Sequence, residues 1–296
     1  MKVTQALRSL LFVPADSPKK IDKARQLRPD GILLDLEDGV SAQNKLQARA
    51  LLSRELANFS RGDTRIFVRV NAVESPLFAA DLDVAVHPIV SGVAIPKSES
   101  RDQIVRTDAL IRGLEKERGL AGGRIGLLLF LESPAAVLNA WLLAQAADRV
   151  TSLLFGGEDY AAHMGISRTK SGEELLYARS AIAHAAHACG LEALDTVFTD
   201  LGDDAALLDE TRRVRQLGFT GKLLIHPRQI DLVHEAFAPD AKEIAWAEEI
   251  VRAFEAVPGS GIVVAAGQMV DQPVALQARR ILARRDRERA SASGAN

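Results

Sequence analysis

The sequence is poor in cysteine, because its 296 residues include only Cys189. A single cysteine excludes an intramolecular disulfide framework and a metal site built from several thiolates, and it is typical of a reducing cytosol. Long hydrophobic runs are also missing, since no window approaches the roughly 18 apolar residues of a membrane span. The N-terminal apolar run, Leu10 to Val13, is too short for a signal peptide core. We therefore expect a soluble, cytoplasmic protein that does not bind membranes.

The sequence has no excess of one charge. It contains 37 basic and 39 acidic residues, which gives a formal net charge of -2. A nucleic-acid-binding protein usually carries a marked basic excess, so we do not expect a nucleic-acid partner. The hydrophobic fraction of 47% is sufficient for a large core. A chain of this length forms either two domains or one large α/β barrel.

Eight short apolar runs are spaced along the chain. They are Arg8–Val13, Gly31–Glu37, Arg65–Asn71, Gly92–Lys97, Arg124–Glu132, Thr151–Gly157, Ala193–Phe198 and Lys222–Pro227. Each run is continuous rather than alternating, which is typical of parallel strands that are buried on both faces. The segments between most runs have helical character; one begins with Ser17-Pro18, a cap followed by a proline.

This strand–helix alternation predicts an α/β fold of the TIM (β/α)8 barrel type. An open, doubly wound sheet is the alternative, but such a fold often carries a glycine-rich fingerprint after its first strand, and none is present. We assign residues 1–230 to the barrel and residues 231–296 to a C-terminal extension. The extension is predicted to hold a helix over His234–Glu255, a hairpin, and a last helix from Val274 to about Arg287.

Polar and ionisable residues occupy the ends of the predicted strands, where barrel enzymes carry their active sites. If the barrel closes, these side chains converge on one mouth. They are Asp35, Glu37, Asp38, Arg69, Asn71, Lys97, Glu132, Glu158, Asp159, Asp195 and His226.

Carboxylate oxygens dominate this set and clustered cysteines are absent, so a hard cation such as Mg²⁺ is favoured over Zn²⁺. Glu132 ends the most apolar strand, and Asp159 follows the pair Gly156-Gly157, which would allow a close approach of the backbone to a ligand. Glu132 and Asp159 are therefore the candidate metal ligands.

Structural roles are open for the same residues. Asp159 could instead cap a helix that starts near Tyr160. Ion pairing is open for Arg69, Lys97, Glu37 and Asp38, and simple packing for His226. Three lysines after the first strand could form a phosphate-binding patch or a solvated helix face; they are Lys19, Lys20 and Lys23.

Seven motifs, in order, resemble the citrate lyase beta subunit-like family of the HpcH/HpaI aldolase superfamily. They are RSLLFVPADSPKKIDKA, DGILLDLEDGV, RIFVRVNA, VAIPKSES, LLLFLESPAAVLNA, LLFGGEDYAAHMG and GFTGKLLIHPRQI, and the match extends through AAGQMVDQPVALQARRIL. The resemblance implies a TIM barrel that binds Mg²⁺ and cleaves or forms carbon–carbon bonds next to a coenzyme A thioester.

The resemblance also assigns roles to residues. It implies that Glu132 and Asp159 are metal ligands, that Arg69 binds a substrate carboxylate, and that Asp271 of the MVDQP motif reaches into a neighbouring subunit's site. The expected catalytic residues are thus Arg69, Glu132 and Asp271. The expected substrate-binding residues are Arg69, Glu132, Glu37, Asp38, Pro96 and Lys97.

The expected activity is Mg²⁺-dependent cleavage or formation of a 3-hydroxyacyl-CoA such as citryl-, malyl- or citramalyl-CoA, with an acyl-CoA and a 2-keto acid as products. An acyl-CoA thioesterase, a malate synthase-like enzyme and a non-catalytic acyl-CoA-binding subunit are the alternatives. The resemblance further implies a homo-oligomer, a trimer or a hexamer, in which the extension packs on a neighbouring subunit. It leaves open whether an acyl-carrier partner is needed. The first strand reads VPAD where the family usually has VPG, which leaves the identity of the acyl-CoA open.

Overall fold

The barrel is formed by eight parallel strands. The computed structural model describes residues 7–60, 62, 64–257 and 261–293. The strands are β1 Ser9–Pro14, β2 Gly31–Asp35, β3 Arg65–Arg69, β4 Val90–Ile95, β5 Gly126–Leu131, β6 Val150–Phe155, β7 Glu192–Asp195 and β8 Gly221–Leu224. Each strand pairs with the next, and β1 pairs with β8, which closes the barrel. The predicted TIM barrel is confirmed, and the open sheet is excluded.

The strands form where continuous apolar runs can be buried on both faces. Every residue of β2 and of β5 is buried. Buried side chains from several strands form a core cluster that includes Leu33, Phe67, Leu128, Leu194 and Leu223. This packed interior closes the barrel below its mouth, so that a ligand site can form only at an end.

Helices alternate with the strands along the chain and continue after the last strand. They are α1 Pro18–Arg25, α2 Lys45–Leu56, α3 Phe78–Ala85, α4 Arg101–Glu117, α5 Pro134–Leu138, α6 Ala140–Ala144, α7 Gly157–Met164, α8 Leu176–Cys189, α9 Asp204–Gln216, α10 Gln229–Phe237, α11 Ala241–Glu255 and α12 Gln272–Ser293. A capping box of Ser100 and Gln103 fixes the start of α4. Within the described chain, no helix combines the length and the apolar character that a membrane span requires.

Several strands are shorter than predicted at their C-terminal ends. β2 ends at Asp35 rather than Glu37, and β6 ends at Phe155, after which Gly157 begins α7. The polar side chains beyond these strand ends therefore lie in the loop after β2 and in the first turn of α7. Helix α3 was not predicted as an element, because it has only eight residues and neither a side-chain cap nor a proline marks its start. The helix expected near Tyr160 is present as α7, but it begins three residues earlier, at Gly157.

The chain divides into two compact units, one that ends at His234 and one that begins at Glu235. The second unit contains α11, the antiparallel hairpin of β9 (Val263–Ala265) and β10 (Gln268–Val270), and α12. A small apolar core holds these elements together; it includes Ala247, Ile250, Val270 and Ala278. The predicted helix over residues 234–255 is two helices, and the last helix runs to Ser293. Residues 1–6, 61, 63, 258–260 and 294–296 of the predicted regions lie outside the described residues.

Candidate active site

A cavity of about 630 Å³ opens at the C-terminal ends of the strands. Its wall combines apolar side chains, such as Phe130 and Phe155, with a set of polar ones. The polar lining residues are Lys20, Lys23, Asp35, Asp38, Arg69, Glu132, Glu158, Asp159, Thr196 and His226. The structure thus brings together most of the strand-end residues that the sequence singles out.

Arg69 is held from two sides by carboxylates of the loop after β2. Its Nε and Nη2 donate to the two oxygens of Asp35 at 2.8 and 2.7 Å, and its Nη1 lies 2.8 Å from Oε2 of Glu37. Burial by itself lowers the pKa of Arg69, but its hydrogen bonds to Asp35 and the negative charges of Asp35 and Glu37 outweigh burial and raise the pKa. The guanidinium also stacks near Phe12 and Phe130, with Cζ 4.8 and 5.5 Å from the ring centres. Arg69 is therefore a permanent and rigidly oriented positive charge.

Glu37 connects Arg69 to Lys97. Its second oxygen, Oε1, accepts a hydrogen bond of 2.6 Å from Nζ of Lys97. Burial raises the pKa of Glu37, although both neighbouring cations act in the opposite direction. The ion-pairing alternative for Arg69, Lys97 and Glu37 is thus observed, and it coexists with a place for Arg69 in the cavity wall.

Glu132 is a carboxylate with an unusual environment. It follows β5, only 3% of its surface is exposed, and Oε2 accepts a hydrogen bond of 2.9 Å from the backbone N–H of Lys97. Burial raises its pKa to about 7; the hydrogen bond from Lys97 opposes this rise, and the negative charge of Asp159 adds to it. A buried acid beside a second acid is costly unless a cation joins them.

Asp159 lies in the first turn of α7, whose N-cap is Gly156, so the helix-cap alternative for Asp159 is wrong. Its side chain makes no hydrogen bond or ion pair with any residue that the structure describes, whereas the adjacent Glu158 pairs with Arg168. The absence of a side chain at Gly156 is required locally, because a Cβ atom there would overlap Cγ of Glu132.

Glu132 and Asp159 fit a hard divalent cation. No group of three or more His, Cys, Asp or Glu ligands occurs within the described ranges. A pair of carboxylates is nevertheless the usual protein contribution to a Mg²⁺ site, because Mg²⁺ keeps several waters or binds substrate oxygens. The donor set of oxygen atoms disfavours Zn²⁺.

Four of the strand-end residues do not line the cavity, and two of these, Asp195 and Asn71, bind to other parts of the barrel. Asp195 is completely buried and bonds to Arg179 and Lys222 in the wall of the barrel. The side-chain amide of Asn71 donates hydrogen bonds to Asp81 of α3 and to the carbonyl of Leu36. For both, the expectation of convergence on the mouth is wrong, because the end of a strand does not reveal which face its last side chain occupies.

The remaining predicted site residues are Asp38, Pro96, Lys97, Glu37 and Asp271. Asp38 is exposed on the cavity wall, whereas Pro96, Lys97 and Glu37 are not among the lining residues. Asp271 belongs to the C-terminal unit, where Oδ1 accepts a hydrogen bond of 3.3 Å from the N–H of Val274 at the start of α12.

Sequence reasoning missed Thr196 as a site residue. Its Oγ1 accepts a hydrogen bond of 2.9 Å from the N–H of Gly157, and it lines the cavity. Its position directly after Asp195 was the available signal, because neighbouring residues on a strand face opposite sides. Lys20 and Lys23 also line the cavity, whereas Lys19 does not.

A family model of known proteins matches the part of the chain that forms this barrel and site. The model of the HpcH/HpaI aldolase/citrate lyase family covers residues 8–227. The chain belongs to this family. Membership in the aldolase/citrate lyase family confirms the predicted resemblance and the prediction of an enzyme of the lyase type.

Individual members of the aldolase/citrate lyase family are similar over nearly the whole chain. Citrate lyase subunit beta of Leuconostoc mesenteroides subsp. cremoris is 39% identical over 277 residues, which cover 93% of this chain and 92% of that protein. Mitochondrial citramalyl-CoA lyase of Homo sapiens is 36% identical, with 92% and 83% covered. The crystal structure of CitE from Mycobacterium tuberculosis in complex with magnesium, acetoacetate and coenzyme A has 32% identity and a TM-score of 0.79, with 94% and 98% covered.

Proposed function

We propose that the chain is a Mg²⁺-dependent carbon–carbon lyase that cleaves a 3-hydroxyacyl-CoA, such as citryl-, malyl- or citramalyl-CoA, into an acyl-CoA and a 2-keto acid. One observation carries the proposal: the buried Glu132 lies beside Asp159 and near Arg69 in the wall of one cavity. The magnesium and coenzyme A in the similar CitE structure support it.

Glu132 and Asp159 would hold the metal. The cost of burying Glu132 as an anion is the physical reason, because a cation between the two carboxylates offsets both the desolvation and the mutual repulsion that raise its pKa. A Mg²⁺ ion at this place would polarise the hydroxyl group of the substrate and favour loss of its proton.

Arg69 would bind the carboxylate next to the reacting carbon. Three of its five N–H groups are engaged by Asp35 and Glu37, which leaves two for a substrate oxygen. Because Asp35 and Glu37 fix the guanidinium before substrate arrives, little ordering is needed when the substrate binds or when charge develops on it.

The mouth of the cavity suits the rest of a coenzyme A thioester. Lys20 and Lys23 of α1 lie on its wall, and two positive charges can attract the phosphates of coenzyme A. The apolar side chains of Leu27 and Ile225 lie on the same wall and can contact an acyl or pantetheine chain. Of the two interpretations of these lysines, the phosphate patch is the one we adopt.

In the proposed cleavage, the bond between C2 and C3 of the substrate breaks as a carbon–oxygen double bond forms. The proton of the 3-hydroxyl group passes to solvent, and the electron pair that it leaves forms the C=O bond of the keto acid. The bond between C2 and C3 breaks, and its electron pair forms the enolate of the thioester. A proton on C2 then gives the acyl-CoA. Asp271 of a neighbouring copy is the proposed acid or base for C2, which requires a homo-oligomer in which the C-terminal unit serves another copy's site.

The test is an assay of the purified chain with citryl-, malyl- and citramalyl-CoA in the presence of Mg²⁺. We expect 2-keto acid and acyl-CoA in equal amounts from at least one thioester, and loss of turnover with excess EDTA. Release of free coenzyme A without keto acid would identify a thioesterase. Binding of the thioesters without any product would identify a non-catalytic acyl-CoA-binding protein. Either result would overturn the proposal.

A further inference from the structure

Lys97 has a backbone conformation that its side chain does not favour. Its φ is 50°, and Ala266 in the hairpin turn is the only other non-glycine residue with a positive φ in the part of the chain that the structure describes. L-residues in this left-handed region are strained, and such strain persists only where the surroundings enforce it.

The residues around Lys97 show what the conformation achieves. The N–H of Ser98 donates to the carbonyl of Phe130 at 3.1 Å, and the Ser98 hydroxyl donates to the carbonyl of Ile95 at 2.9 Å. Both bonds fix Ser98, which is fully buried, to the ends of β4 and β5. Pro96, which precedes Lys97, has no N–H group and so cannot donate a hydrogen bond to Glu132. The N–H of Lys97, between these two anchors, is turned towards Oε2 of Glu132 at 2.9 Å.

The side chain of Lys97 makes a second connection. Its ammonium group bonds to Oε1 of Glu37 at 2.6 Å, while Oε2 of Glu37 contacts Nη1 of Arg69. Glu37 is almost completely buried, so loss of either cation would leave its charge poorly compensated. The Lys97 side chain itself is 45% exposed and lies outside the cavity lining.

We propose that Lys97 is a positioning residue for the reaction: its left-handed backbone holds Glu132 in place, and its ammonium group holds Glu37 against Arg69. One residue thus sets the distance between the metal-binding carboxylate and the substrate-binding guanidinium without contacting either ligand. The inference rests on the proposed function, because the two groups that Lys97 connects are the ones assigned there to metal and substrate.

Three substitutions of Lys97 separate the role of its backbone N–H from the role of its ammonium group. Lys97→Gly removes the ammonium group and adopts the left-handed backbone without strain. Lys97→Val also removes the ammonium group, but its β-branched side chain strongly disfavours that backbone. Lys97→Arg keeps the charge and an unbranched stem. The glycine and valine variants are therefore matched in charge and differ in the turn that presents the N–H to Glu132.

The first measurement is calorimetric titration of each variant with Mg²⁺ alone, with thermal unfolding to follow the fold. We expect the dissociation constant of Lys97→Gly to stay within about threefold of the parent value, and that of Lys97→Val to rise about tenfold. Equal Mg²⁺ affinity of the two variants would overturn the backbone role.

The second measurement is steady-state cleavage of the thioester that the parent chain uses. We expect kcat/KM of Lys97→Gly to fall about tenfold, mainly through a higher KM, and Lys97→Arg to recover most of it. Parental kinetics in Lys97→Gly, or no recovery in Lys97→Arg, would overturn the side-chain role. Failure of the parent chain to cleave any thioester would refute the proposed function instead, and the Mg²⁺ comparison of glycine with valine would still decide the backbone role.

Discussion

Asp35 and Arg69 form a bidentate ion pair between two adjacent strands of the barrel. The two residues are register partners on β2 and β3, and both oxygens of Asp35 accept hydrogen bonds from the guanidinium. The same oxygens accept the N–H groups of Glu37 and Gly39, each at 2.8 Å. Asp35 thus fixes both Arg69 and the loop that carries Glu37.

Replacement of Asp35 by asparagine should damage both activity and stability. An amide cannot accept all four of these hydrogen bonds, and it leaves the buried Arg69 with Glu37 as its remaining anionic partner. We expect a loss of about 3 kcal/mol in the free energy of unfolding and a decrease in kcat/KM of about 100-fold. Urea denaturation and steady-state kinetics measure the two effects.

The control is Asp22→Asn. Asp22 also pairs with an arginine, Arg25, but its side chain is 63% exposed. A pair on the surface contributes little, so the control should change the unfolding free energy by less than about 1 kcal/mol. Equal effects of the two substitutions would contradict the role assigned to Asp35.

The raised pKa of Glu132 predicts an unusual pH dependence of stability. Its pKa is about 7 in the folded chain against 4.5 for the ordinary group, so between these values the folded state binds more protons than the unfolded state. Stability without metal should therefore decrease as the pH rises from about 4.5 to 7, by about 3 kcal/mol in total. Glu132→Gln should abolish this decrease.

Binding of Mg²⁺ should show the opposite trend, because the cation competes with the proton on Glu132. We expect the affinity to increase up to about tenfold per pH unit below pH 7 and to level off above it. Glu132→Gln should lose this affinity, and the neighbouring Glu158→Gln should keep it. Titration calorimetry at pH 6 and at pH 8 measures the Mg²⁺ affinity. Equal affinities at the two pH values would contradict the assignment of Glu132 as a metal ligand.

Gly156→Ala tests the close approach beside Glu132. The backbone at Gly156 has φ of −91°, which any residue can adopt, so the effect of the methyl group is steric. Because that group would overlap Cγ of Glu132, we expect displacement of the carboxylate and a loss of Mg²⁺ affinity of at least about tenfold. Gly113→Ala in α4 is the control, because a Cβ atom added there would have no atom within 4 Å apart from the backbone of its own helix. This variant should preserve the Mg²⁺ affinity and increase stability slightly.

The fold was predictable from the sequence because continuous apolar runs and intervening helices repeat eight times, and each repeat is a local pattern. The placement of Glu132, Asp159 and Arg69 around one cavity was accessible for a related reason: the C-terminal ends of the strands of a closed barrel meet at one mouth. The short helix α3 left no comparable pattern, since about two turns without a cap carry little signal.

The side-chain network was not predictable. Asp35 and Asp195 both end strands, yet the first faces the cavity and the second faces Lys222 and the helices outside. This difference depends on strand register and twist, which single-sequence patterns do not specify. The strained backbone of Lys97 was equally inaccessible, because it results from anchors on two neighbouring strands.

Acid should destabilise the barrel through Asp195. Burial alone would raise its pKa, but the charges of Lys222 and Arg179 lower it to about 2 from the ordinary 3.8. As the pH falls, Asp195 is therefore protonated in the unfolded chain before it is protonated in the folded chain. A contribution on the order of 2 kcal/mol to the free energy of unfolding should be lost as the pH falls from about 4 to 2. Urea unfolding of the parent chain and of Asp195→Asn should show a smaller pH dependence in the variant; identical slopes would refute this.

The role of Asp271 in a neighbouring copy predicts complementation between two inactive variants. Glu132→Ala lacks the metal-binding carboxylate, and Asp271→Ala lacks the proposed acid or base. If each site combines Glu132 of one copy with Asp271 of another, random mixed assemblies in equal amounts contain about one quarter intact sites. Co-expression should then restore about a quarter of the parental kcat, whereas a mixture of the separately assembled variants should stay inactive. If both residues act within one chain, no mixed assembly contains an intact site, and co-expression restores nothing.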